Sequence, residues 1–143
     1  MPSNQSVDPQ GSGTERSVIL VVEDEVLLAL ELEQVLTTAG YVVVIAADGL
    51  AALAYAADPG LRLRAAIINL NLPGGMPGHE VVRRLRAPHP RLPVVVVTGY
   101  APLAPQADLR GLGGPTARLQ KPVEAQHLLQ RLHEAMASNS GVA

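Results

Sequence analysis

The chain has 143 residues, 48% of them hydrophobic and 17% charged, with a formal net charge of -2. That is one domain's worth of polypeptide, apolar enough to bury a core, and it lacks the basic field a non-specific nucleic-acid binder needs. Cysteine is absent, which excludes disulfide scaffolds, thiolate metal sites and cysteine catalysis.

Residues 1–16 are polar and turn-rich, with Pro2, Pro9, Gly11 and Gly13, and are expected to form a disordered leader. Val18 to Val22 is a continuous, mostly β-branched run, as in a strand buried on both faces. Leu28, Leu32, Val35, Leu36 and Ala39 follow at helical spacing, and Gly40 supplies a stop. Val42 to Ala46 is a second strand. Asp48 caps an Ala-rich helix through Ala57, ended by Pro59-Gly60. Ala65 to Asn69 is a third strand. A Pro/Gly loop from Pro73 to Gly78 leads to a helix carrying Val81, Val82 and Leu85. Pro93 to Thr98 is a fourth strand. A short helix fits near Gln106 to Leu112, between breakers. Ala117 to Gln120 is a fifth strand, and Val123 to Met136 an amphipathic helix. The ordered domain is thus expected over 17–137, with a disordered tail at 138–143.

Five strands alternating with five helices imply an α/β fold, a parallel sheet covered on both faces. Ligands of such sheets bind at the carboxyl ends of the strands. Glu23, Asp24, Asn69, Thr98 and Lys121 all fall at or just past such ends. They are expected to meet at one sheet edge.

Four strings stand at these ends: Val-Val-Glu-Asp-Glu at 21–25, Asn-Leu-Asn-Leu-Pro at 69–73, Val-Thr-Gly-Tyr at 97–100 and Lys-Pro at 121–122. In this order they resemble the receiver domain of two-component response regulators, over nearly the whole ordered chain. The resemblance implies a flavodoxin-like doubly wound sheet of order 2-1-3-4-5 and a place in a phosphorelay. It implies that Glu23 and Asp24 hold Mg²⁺ through oxygen ligands, with a backbone ligand from Asn71. It also implies that Thr98 and Lys121 contact a phosphoryl group and that the Lys121-Pro122 bond is cis.

Two positions depart from the family pattern. Asn69 stands where the family has its phosphoacceptor Asp, and a carboxamide is a poor phosphoryl nucleophile at neutral pH. Arg118 stands where many receivers place a switching aromatic ring. The expectation is a pseudo-receiver, not an enzyme, with weak or absent Mg²⁺ binding, acting by protein-protein contact. Its partner is expected to be a histidine kinase, a phosphotransfer protein or an effector, met through the last helix (Gln126, Gln130, Arg131, Glu134) and its neighbours.

Other readings stay open. Glu23 to Glu25 alone could be an acidic helix start. The domain could be a working Mg-dependent phospho-accepting receiver with an unusual acceptor. It could also be a flavodoxin-like small-ligand-binding domain, since fold alone is not function. Arg83, Arg84, Arg86 and nearby Arg91 look like a basic surface cluster, too little for nucleic acid. No apolar run reaches the roughly 18 residues of a membrane span and no signal core precedes the first strand, so a cytoplasmic location is expected. Met1 favours a whole small protein without an output domain.

Overall fold

The computed structural model describes residues 16–72, 74–99, 109 and 111–140. Five strands are present: β1 (Arg16–Val22), β2 (Val43–Ala46), β3 (Leu61–Asn69), β4 (Val94–Thr98) and β5 (Thr116–Gln120). Four helices are described: α1 (Val26–Thr38), α2 (Gly49–Ala57), α3 (Gly78–Arg86) and α4 (Ala125–Ser140). The strands form one parallel sheet of order β2-β1-β3-β4-β5, as expected. The short helix expected near Gln106 to Leu112 lies largely outside the described residues, as do Pro73, Tyr100 and the leader and tail beyond 16–140.

Strand alternation sorts the core. Leu20, Val22, Ala66, Ile68, Val94 and Val96 face α2 and α3 on one side of the sheet. Ile19, Val21, Ala65, Ile67, Val95 and Val97 face α1 and α4 on the other. Successive side chains point to opposite faces, so a strand covered on both sides must be apolar at every position. That is why β1 and β4 read as unbroken Val/Ile/Leu runs.

Local signals end the helices where expected. Gly40 adopts a φ of 99°, and the Tyr41 N–H reaches the Leu36 carbonyl at 3.0 Å, closing α1 in a left-handed turn. The Asp48 carboxylate accepts from the Ala51 N–H at 2.9 Å and caps α2.

Several boundaries differ from the sequence reading. β1 begins at Arg16, whose N–H donates to the Gly60 carbonyl at 2.9 Å. β3 begins at Leu61 instead of Ala65, because Leu61 and Leu63 alternate inward against exposed Arg62 and Arg64. A register shift leaves Arg64 as an extra residue between the pairs Val18–Leu63 and Ile19–Ala65. Helix α4 runs on through Ser140.

The basic cluster expected around Arg83 to Arg91 does not exist as one surface. Arg83 and Arg84 pair with Glu80 at 3.5 and 2.8 Å. Arg86 is buried beneath the segment preceding β5. None of the described helices is long and apolar enough to cross a membrane.

Candidate functional site

Backbone hydrogen bonds hold the carboxyl ends of the strands level. The Glu23 N–H donates to Ala46, Leu70 to Val97 and Lys121 to Thr98, at 2.9–3.0 Å. Glu23, Asn69 and Thr98 are buried there, Asp24 is exposed and Lys121 half-buried. The five residues expected at one sheet edge are therefore brought to it. The Lys121-Pro122 peptide is cis, also as expected.

Asn69 organises the contacts. Its Nδ2 donates to Glu23 Oε2 at 3.1 Å and to Asp24 Oδ1 at 3.4 Å. Its Oδ1 accepts the Asn71 N–H at 2.8 Å. Glu23 Oε2 also accepts the Glu25 N–H at 3.0 Å. Glu23 Oε1 is buried with no hydrogen-bond partner among the described residues. Asn71 joins the site through its backbone N–H, while its side chain is exposed.

Burial pushes the Glu23 carboxyl above the usual glutamate range. The Glu25 N–H, the Lys121 charge and the Asn69 amide oppose that shift, and the Asp24 charge adds to it. The folded chain thus binds this proton more tightly than the unfolded chain does. Stability from this group falls as pH rises above about 4.5. Glu23→Gln is expected to raise the melting temperature at pH 7, with the gain shrinking as pH falls toward 4.5. Thermal unfolding of both chains across that range checks the sign.

A residue missed by sequence reasoning sets the site's back wall. Gly78, at the start of α3, packs against the strand end. A Cβ there would lie 2.5 Å from the Asn69 carbonyl oxygen and 2.7 Å from Leu70 Cα. Both obstacles are backbone, so Gly78→Ala is expected to cost about 1–3 kcal/mol, read by urea unfolding. The signal was Gly-His-Glu after the Pro/Gly loop, which looks like any helix start.

Arg118 lies on β5, opposite Val96, and is half-buried. Its Nη1 is buried without a hydrogen-bond partner among the described residues. It can supply a cation at this position but no ring.

The donor set is made of hard oxygen and amide groups. Two carboxylates and an amide converge, and the orphaned Glu23 Oε1 is an acceptor that Mg²⁺ or water would satisfy. Among the described residues, no group of three or more His, Cys, Asp or Glu could hold a metal.

Comparison with known proteins agrees with this geometry. Residues 19–133 match the response regulator receiver domain. An uncharacterized transcriptional regulatory protein of Bacillus subtilis, YkoG, is 35% identical over 87% of this chain and 53% of its own length. The transcriptional regulatory protein TctD of Salmonella typhimurium is 36% identical over 86% of this chain and 53% of its own. The chain thus spans about half the length of these curated relatives. Among solved structures, a receiver domain protein from Methanospirillum hungatei superposes with a TM-score of 0.75 at 28% identity, covering 88% of this chain and 96% of its own. A receiver protein from Sinorhizobium medicae gives 0.75 at 25% identity, covering 87% and 98%. The sheet order agrees with that match, and the chain belongs to the response regulator receiver domain family of two-component systems.

Proposed function

We propose that this receiver works without phosphorylation, as a cytoplasmic protein-binding module and not an enzyme. One observation carries the reading: at the end of β3, where the resemblance puts the acceptor, the Asn69 amide donates to both Glu23 and Asp24. A carboxylate here would repel those acids until a cation joined them. The amide instead offers two N–H donors, so the acids have a partner without Mg²⁺. Metal binding is expected to be weak, through Glu23 and Asp24, with the Asn69 amide turned so that its oxygen faces the ion. When bound, Mg²⁺ would neutralise the two acids.

The partner is a histidine kinase, a phosphotransfer protein or an effector. Arg131 and Glu134 on α4 pair with each other at 3.2 Å, and Gln130 also reaches Glu134 at 3.3 Å. The neighbouring α1 offers more for association. Val26, Leu27 and Leu30 are 69%, 74% and 50% exposed, and Leu27 and Leu30 line a groove with Val123. Exposed apolar side chains gathered this way mark a contact surface. The α1 edge beside α4 is therefore the favoured face.

The test is incubation with acetyl phosphate and Mg²⁺ followed by intact-mass spectrometry. The expected result is no phosphoryl adduct. A stoichiometric acid-stable, base-labile adduct would overturn the reading.

A further inference from the structure

The amino ends of the strands carry a second feature, far from Asn69. Arg62 and Arg64 open β3, and His89 and Arg91 lie in the turn before β4. Together they line a basin of about 600 Å³ with Leu63, Leu92 and Met136. Among the described residues, none that lines it carries a carboxylate. Arg64 is the extra residue of the register shift in β3, and its guanidinium sits 5.0 Å from the Tyr41 ring centroid. That contact helps fix the guanidinium's direction.

Glu23, Asp24 and Glu25 stand at the carboxyl ends beside Lys121, whereas Arg62, Arg64 and Arg91 stand at the amino ends, where Asp58 precedes β3. Seven residue steps of β3 separate Arg62 from Asn69, a span of about 23 Å at the usual strand rise. A ligand of the basin therefore does not compete with the receiver site.

We propose that this basin binds a small phosphate-bearing anion with an apolar body, of mononucleotide size. Guanidinium forks match phosphate oxygens in pairs. The volume falls in the range of small-molecule pockets, which combine apolar walls with a few placed polar groups. A duplex needs a basic stripe along an extended face, which a local basin on a chain of net charge -2 does not provide. The proposal stands independently of the phosphorylation reading.

The full chain, labelled with ¹⁵N, is titrated with adenosine diphosphate and separately with inorganic pyrophosphate, without Mg²⁺ and at constant ionic strength. Saturable shifts are expected at Arg62, Arg64, Arg91 and Leu92, with Glu23 and Asn69 unmoved. Adenosine diphosphate should bind more tightly than pyrophosphate. The double variant Arg62→Ala, Arg64→Ala should weaken binding about tenfold or more. Arg91→Gln, tested alone, should weaken it too, which guards against a folding defect in the double variant. Absence of saturable shifts, equal binding of the two probes or insensitivity to these substitutions overturns the proposal. So does binding to phosphatidylglycerol vesicles with no response to the nucleotide, which would make the basin a membrane contact.

Discussion

With Asn69 replaced by Asp, Mg²⁺ and beryllium fluoride are expected to shift the backbone amides of Glu23, Thr98 and Lys121, while the native chain stays silent. The substitution changes one amino group into one oxygen. It removes the donor that faces Glu23 at 3.1 Å and Asp24 at 3.4 Å. Three carboxylates then converge on Lys121, and Mg²⁺ is required to hold them together. Without Mg²⁺, Asn69→Asp should therefore be less stable than the native chain, and Mg²⁺ should reverse most of that loss. The Asn71 N–H, which now donates to Asn69 Oδ1 at 2.8 Å, can donate to the new carboxylate as well. A native chain that responds to beryllium fluoride at these positions would show that the amide does not block the chemistry. Silence in both chains would mean that the pocket differs from a working receiver by more than this residue.

Arg86→Met is expected to cost about 3–5 kcal/mol and to lower the melting temperature by about 10 °C or more. Arg86 is only 6% exposed. Its Nη2 donates to the carbonyls of Leu92 at 2.9 Å and Pro115 at 2.6 Å. Its Nη1 donates to Leu112 at 3.2 Å, to Thr116 Oγ1 at 2.7 Å and to the Gly113 carbonyl. One side chain from the end of α3 thus serves carbonyls on both sides of β4. Methionine keeps much of the volume and supplies no donor, so those carbonyls lose their partner in a buried place. Arg86→Lys should recover only part of the loss, because an ammonium lacks the planar fork. Gly114 gives an independent check. It has a φ of 59°, and a Cβ there would lie 2.6 Å from Arg86 Nε and 2.8 Å from the Pro90 carbonyl oxygen. Gly114→Ala should destabilise as well, and its effect should add only in part to that of Arg86→Met, since the clash with the guanidinium is shared but the positive φ and the Pro90 contact are not. Urea unfolding of the three single variants and the double variant decides this. A loss below about 1 kcal/mol for Arg86→Met would show that water replaces the guanidinium easily.

The contrast between these two residues shows what a one-dimensional pattern can carry. The acids, Asn69 and Thr98 were legible because each follows an apolar run, and a buried strand must end where polar residues begin; Lys121 follows the mixed Thr-Ala-Arg-Leu-Gln and was legible through its place before Pro122. Parallel strands then bring such ends together whatever their separation in sequence. Arg86 was not legible. Arg83, Arg84 and Arg86 look alike at a helix terminus, and only the packing of α3 against the segment before β5 turns one of them inward. The apolar face of α1 was legible in part. The stripe through Leu32 and Leu36 is buried, but Val26, Leu27 and Leu30 lie outside it and are exposed, which helical spacing alone did not single out. The start of β3 was missed because Leu-Arg-Leu-Arg alternates, whereas the rest of the strand is uniformly apolar. The direction of the Asn69 amide could not be read at all, since a carboxamide can donate or accept with equal ease.

That direction has a consequence for time. In a receiver that is charged and discharged, the lifetime of the phosphoryl bond sets how long a message lasts. On the proposed reading, an amide already joined to Glu23 and Asp24 leaves nothing there to form or decay. On that reading this protein keeps no clock. Its influence on a partner would rise and fall with its own abundance, so synthesis and degradation would do the timing that hydrolysis does elsewhere.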